Sequence, residues 1–323
     1  MSRPKRISRA VATVAALLVT ALAATGCVTV NGSTASVEGV DKREAEAVLR
    51  DYDAQNNQAY ANRDLALNSR TETGPLGVLD QADLKILAFT DPHGNRGKEP
   101  VLHERPEFLI PKIVGWPKWF AVQSTPNRKG AKPQLLMFVK GQPDAAWQAA
   151  WGPTLQSPLP ELAKDKDGFV EPIAVNTAGL AASPAELAPA LADYLKDGKS
   201  HAELFAPDAY TAQLRKQRED PIGEGFVRQS VDTAAEQFSP LALRAEDGGA
   251  VVLFSLQHSM RLTVQPPRRL GDVEPSTLTF LPNKPTKALT EHRLSQYVAL
   301  VPQAGGKVQL TGWMYGLVGA EGE

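Results

Sequence analysis

SPAELAPALADYLKDG, Ser183 to Gly198, carries the strongest helix start in the chain. Ser183 is a candidate N-cap, Pro184 takes the first helical position, and Glu186 completes a capping box. Leu187, Leu191, Tyr194 and Leu195 then fall on one face, and Gly198 stops the run. Well upstream, REAEAVLRDYDAQNNQAYANRD sets Val48, Leu49, Tyr52, Ala59 and Tyr60 at the same helical spacing. The two stretches share a short element, VLRDY (Val48 to Tyr52) against ALADY (Ala190 to Tyr194), and a second short helical segment follows each.

Strand pairs come after the helices in both halves. WFAVQS (Trp119 to Ser124) and QLLMFVK (Gln134 to Lys140) form the first pair. LALRAE (Leu241 to Glu246) and AVVLFSLQ (Ala250 to Gln257), joined across Asp247-Gly248-Gly249, form the second. LSQYVALVPQ and KVQLTGWMYGLV close the second half, with FVEPIAVNTAGL (Phe169 to Leu180) the expected closing strand of the first. Helices first and strands afterwards, twice over, indicate an α+β fold with an internal duplication. Thr90 to Phe108 and Trp151 to Gly168 are rich in Pro, Gly and charge and are expected to be long loops.

The amino terminus supplies an address. MSRPKRISR carries Arg3, Lys5, Arg6 and Arg9 with no acid, and Ala10 to Ala24 is apolar and small. Such a basic region followed by a short apolar core reads as a secretory signal, too short for a usual spanning helix. Ala24-Thr25-Gly26-Cys27 resembles the lipobox of bacterial lipoproteins, departing from it in having Ala rather than Leu three positions before the cysteine. The resemblance implies cleavage between Gly26 and Cys27 and acylation of Cys27, hence a cell-membrane protein anchored by lipid on the extracytoplasmic face. Cys27 is the only cysteine, so no intrachain disulfide is available. Cleavage would remove four cations and no acid from a chain of net charge −1, leaving −5. A mildly acidic mature protein argues against nucleic acid as a partner.

The expected organisation is a signal peptide over 1–26, a flexible tether over 27–40, and two units over 41–182 and 183–323. The repeated order resembles the nuclear-transport-factor-2-like or cystatin-like roll. It is also similar to actinobacterial lipoproteins of unknown function with two such units. The resemblance implies two tandem rolls, each with N-terminal helices packed on a curved antiparallel sheet.

Catalytic signatures are missing from the sequence: no G-x-S-x-G, no Walker loop, no H-E-x-x-H and no G-x-G-x-x-G occurs. Asp91, His93, Glu99, His103 and Glu104 offer metal-ligand chemistry without a metal-ligand spacing, so a solvated loop is the expectation. Asp165, Asp167, Gly168 and Glu171 echo a calcium loop but read as a charged turn. His201, His258 and His292 have no carboxylate or serine at a telling interval, and Arg268-Arg269 reads as a solvated basic turn. No metal or cofactor is expected.

Trp116, Trp119, Trp147 and Trp151 cluster in the first half, the last two at a spacing that one helix face would share. Core packing is their ordinary role, and a sugar-stacking surface is the functional one. The expected function is a non-catalytic, membrane-tethered binding or scaffolding protein of the cell envelope, meeting a protein or glycan. The alternatives are an envelope enzyme using a roll cavity and an accessory subunit of an export or cell-wall complex. Converging ionisable groups in a cavity favour the enzyme; a filled roll with an apolar outer patch favours the subunit.

Overall fold

The computed structural model describes residues 37–93 and 99–323. The signal peptide, the Gly26-Cys27 junction and most of the tether lie outside the described residues. Ser36–Glu323 forms one compact unit.

Chain entry is a short strand β1 (Val37–Glu38), followed by three helices: α1 (Lys42–Asn62), α2 (Leu65–Thr71) and α3 (Gly74–Thr90). Asp41 caps α1 by accepting the Glu44 N–H at 2.8 Å, and Arg63 ends it in the left-handed region at φ 56°. The first-half strands are β2 (His103–Leu109), β3 (Lys112–Ile113), β4 (Lys118–Pro126), β5 (Gln134–Lys140), β6 (Gln148–Trp151) and β7 (Thr154–Leu155). β1 pairs with β3 apart from the main sheet.

The second half starts with α4 (Pro184–Asp197) and α5 (Ala209–Glu219). The capping box forms as expected: the Glu186 carboxylate accepts the Ser183 N–H at 2.8 Å and its hydroxyl at 2.7 Å. Gly198 terminates α4 at φ 67°, a backbone region that glycine enters without a Cβ penalty. Then come β8 (Phe226–Ala234), β9 (Leu241–Arg244), β10 (Ala250–Val264), the short α6 (Pro275–Leu278), β11 (Ala288–Val301) and β12 (Gln309–Gly322).

The main sheet has ten strands, eight of them in the order β2-β4-β5-β7-β12-β11-β10-β8, with β6 on β5 and β9 on β10. All these pairings are antiparallel. Each half runs as a meander from an outer strand inward, and the two meanders meet through their last strands at β7 and β12. The strand order of one half therefore mirrors that of the other. The fold is α+β, with one large antiparallel sheet and few helices. The boundary expected after Ala182 divides two sets of helices and strands, while the sheet runs across both.

The cores follow from strand alternation, which sends successive side chains to opposite faces. On one face of the first half, Phe120, Val122, Leu136 and Phe138 pack beneath Leu49 and Tyr52 of α1. On the other face, Trp119, Ala121, Leu135 and Met137 pack against Leu243, Val251, Leu253 and Val298 of the second half. The far face of the second half, with Val252, Phe254, Leu256 and Tyr297, packs beneath Leu187, Leu191 and Leu195 of α4. The layers run helix, sheet, sheet, helix. Gln296 fastens the halves: it is fully buried, and its Oε1 accepts the Gly152 N–H at 3.0 Å.

Three expectations are corrected. The tether expected over 27–40 stops short of its end, because Val37–Glu38 pairs with Lys112–Ile113 and Val40 is buried in the first-half core. Phe169 to Leu180 is not a closing strand; it makes only isolated bridges, such as Val170 with Pro111 and Pro172 with Leu243. The first half closes through β6 and β7 instead. Gln148–Trp151, expected on a helix, is a strand, because Ala149, Ala150 and Trp151 are buried beside β5 and extension lets them pair with it.

Candidate functional site

Each half leaves a cavity between its helices and its sheet. The first, of about 690 Å³, is walled by Tyr52, Asn56 and Tyr60 of α1, Asp80 of α3, His103 and Gln134. The helix α1 presents both an apolar stripe and, a residue or a turn away, this polar set. Asp53, next to Tyr52, is buried and takes the His103 ring Nδ1 at 2.5 Å and the His103 N–H at 2.9 Å. The other ring nitrogen, Nε2, meets Gln134 Oε1 at 3.1 Å. Both nitrogens of His103 are thus engaged by neighbouring side chains. Asn57 clamps the chain above the cavity, accepting the Val101 N–H at 2.8 Å and donating to its carbonyl at 2.7 Å.

The inner end of the same region is acidic. The Tyr52 hydroxyl donates to Glu72 Oε1 at 3.0 Å, and Asn68 Nδ2 donates to Oε2 at 2.8 Å. Burial, and then the charge of Asp80, push the Glu72 carboxyl well up despite those two hydrogen bonds. Burial likewise pushes Asp80 up, to about 6. The same causes push the Tyr52 and Tyr60 hydroxyls up, desolvation leading in both. Asn56 Oδ1 is shut from solvent and accepts no hydrogen bond.

The second cavity, of about 230 Å³, lies under α5 and is walled by Tyr210, Arg218, Asp232, His258, Arg293, Ser295 and Tyr315, among others. His258 Nδ1 lies 2.6 Å from Asp232 Oδ1, and its Nε2 lies 2.7 Å from Ser295 Oγ. Arg218 grips Asp232 through both terminal nitrogens, with Nη2 at 2.9 Å from Oδ1. The sheet builds this group by register. His258 sits directly opposite Asp232 on β8 and opposite Arg293 on β11, which puts Ser295 diagonally across.

The structure scatters the tryptophans. Trp119 and Trp151 are buried in the layer between the halves. Trp147 is half-buried on the α1 side, edge-on to Phe120, its Nε1 donating to Glu44 at 2.8 Å. Trp116 stands alone at 44 % exposure. The four therefore share no surface.

The loop residues separate too. Asp91 pairs with Arg63 at 3.0 Å, His93 and Glu104 are exposed, and His103 is held by Asp53. Among the described residues no three His, Cys, Asp or Glu side chains converge as a metal site. At the calcium-like turn the cation is Lys112, whose Nζ donates to Asp165 at 2.6 Å and Asp167 at 2.8 Å. Those two bonds hold the Lys112 ammonium up, and the first holds the Asp165 carboxyl down. His201 and His292 have only exposed carboxylate neighbours, Asp193 and Glu321, and Arg268-Arg269 stays in an exposed turn.

Comparison with known proteins gives a family without a described activity. The family described as "Domain of unknown function (DUF8094)" matches residues 37–322. An uncharacterized lipoprotein of Streptomyces coelicolor is 32% identical over 99% of this chain and 98% of its own length. An uncharacterized lipoprotein of Streptomyces avermitilis is 32% identical over 94% of this chain and 92% of its own. A second Streptomyces coelicolor lipoprotein, also uncharacterized, is 25% identical over 86% and 81% respectively. No solved structure matches the chain.

Proposed function

We propose, from the premise that this chain belongs to the DUF8094 family, that it is a lipid-anchored binding protein of the cell envelope. Its first-half cavity takes a small polar ligand. The anchor is Cys27, and the lipoprotein names of the relatives support the lipobox reading of Ala24 to Cys27. Cleavage at Gly26 then leaves the mature chain tethered on the extracytoplasmic face through the residues that precede β1. Among the described residues no helix is long and apolar enough to cross a membrane.

The observation that carries the binding reading is the wall of the 690 Å³ cavity: two tyrosines, Asp80 and an unpartnered Asn56 acceptor beside a histidine already bonded at both nitrogens. Concave sites of this size with a few convergent polar groups are where small molecules bind. Aromatic rings with mixed acceptors suit a hydroxyl-rich molecule such as a fragment of envelope glycan. His103 serves as a fixed wall here rather than as an acid or base. The finer reading of each half as a cystatin-like roll is supported by the helices-first order and by a cavity between helix and sheet in both halves.

Methionine methyl resonances separate the outcomes. Met314 lines this cavity, Met260 lines the other, and Met137 is buried between the halves. Titrating sugars and small amines into methyl-labelled protein should shift Met314 and leave Met137 in place. A panel that leaves Met314 unmoved contradicts the reading.

A further inference from the structure

The second cavity holds the three side chains of a nucleophilic relay, and the first-cavity reading makes no use of them. We propose that Ser295, His258 and Asp232 are an acyl-transfer site that hydrolyses small, uncharged esters. His258 Nε2 at 2.7 Å from Ser295 Oγ is at the distance of a general base from its hydroxyl, and Asp232 at 2.6 Å from Nδ1 orients the ring. Arg218, bound to both oxygens of Asp232, fixes that carboxylate's rotamer. The same arginine shares the carboxylate's charge, so His258 gains less from Asp232 than it would from an unshared partner.

A serine inside a central strand lacks the usual backbone donors for an oxyanion, because the neighbouring strands β10 and β12 use them. The Tyr210 hydroxyl takes their place. Tyr210 lines the cavity, and its hydroxyl neighbours Ser295 and the Tyr297 hydroxyl without meeting hydrogen-bond geometry with either. A buried donor held short of its partners costs free energy that a developing negative charge would recover.

Ser295 is 1 % exposed yet forms part of the cavity wall, so a substrate reaches it only through about 230 Å³ of space. That volume limits the acyl group to a short one. Arg218 is paired with Asp232 and Arg293 with Glu291 at 2.9 Å, so the walls carry no surplus charge to favour an ionised substrate. Tyr315 and Met260, both exposed, form an apolar mouth for the leaving alcohol.

In the reaction, Ser295 Oγ bonds to the ester carbonyl carbon while its proton passes to His258 Nε2. The carbonyl electrons move onto oxygen, which faces the Tyr210 hydroxyl. Collapse breaks the bond to the alcohol oxygen, and His258 returns its proton to that alcohol. Water then attacks the acyl-serine, giving its proton to His258, and the serine leaves reprotonated with release of the carboxylic acid.

The test uses the whole exported chain with diisopropyl fluorophosphate, read by intact mass and peptide mapping. The wild type should gain one phosphoryl adduct on Ser295, and Ser295→Ala should gain none. His258→Gln should slow labelling by roughly 100-fold or more, the scale of a general base. The wild-type labelling rate should rise with pH, a dependence that a merely structural histidine would not produce. p-Nitrophenyl acetate turnover should vanish in the same variants. An unlabelled Ser295, or equal labelling in wild type and a folded His258→Gln, overturns the proposal. Should His258→Gln melt early, a flat pH profile in the wild type overturns it equally.

Discussion

Tyr52 and Tyr194 occupy matched positions in the sequence, and the structure gives them different work. Tyr52 donates to Glu72, twenty residues away, whereas Tyr194 stacks on Phe205 and under the Arg215 guanidinium. The helical period made their inward direction legible; their partners depended on which element folds over them. His258 is the sharper case. Its partners lie 26 residues before and 37 after it, and only strand register makes them neighbours. A further signal was present: β8 alternates with Val227 and Val231 outward and Ser230 and Asp232 toward the cavity. A strand whose polar face points inward marks a polar site, but without its partner strands the pattern resembles an ordinary strand turned over.

Two predictions belong at this scale. Asp80 titrates at about 6 in the fold, above the ~3.9 of an unfolded aspartate. Its neutral form is favoured by folding, so its contribution to stability is complete below about pH 4 and is lost as pH rises through about 6. Thermal midpoints should therefore fall across that window, and Asp80→Asn should flatten the fall; an unchanged slope would contradict it. Cys27→Ser should abolish incorporation of an alkynyl fatty acid and release the protein from the membrane fraction, since stable anchoring needs acyl chains. Label retained in that variant would place the lipid elsewhere.

Among elements, α1, α4, β4, β5, β10, β11 and β12 were all legible from periodicity and capping, because each has a clear apolar face. The closing strand of the first half was not. Phe169 to Leu180 has the residues of a strand, but Pro172 and its path along the junction of the halves leave it bridging single residues. The seam between β7 and β12 was hidden as well, since a two-residue strand carries no period. Gln296 reports on that seam. Its carbonyl is the hydrogen-bond partner of the buried Gly152 N–H, so Gln296→Leu should cost about 1–3 kcal/mol, the penalty for an orphaned buried donor. Denaturant melts give the value directly. A change below a few tenths of a kcal/mol would mean that the seam does not depend on this bond.

For the whole molecule, the order of helices before strands in each half was readable from the sequence, but the mirrored arrangement of the halves in one sheet was not. Two units over 41–182 and 183–323, as the sequence suggests, would let the second half fold by itself. In the structure, Leu243, Val251, Leu253 and Val298 of that half are buried against the first. A fragment over 183–323 would expose this apolar face, and patches of this kind drive association. It should therefore elute as an oligomer or precipitate, and adding a 41–182 fragment should restore solubility; a monomeric, cooperatively melting fragment would show that the halves are independent after all.

Native mass spectrometry of the full-length protein drawn from its own membranes tests the proposed lipid anchor and the proposed first-cavity ligand together. The predicted spectrum shows a chain beginning at Cys27, heavier by its acyl groups, with one non-covalent small-molecule adduct that Asn56→Leu removes at the edge of the first cavity. A chain that retains residues 1–26 or lacks acyl mass, and that carries no adduct, would contradict it.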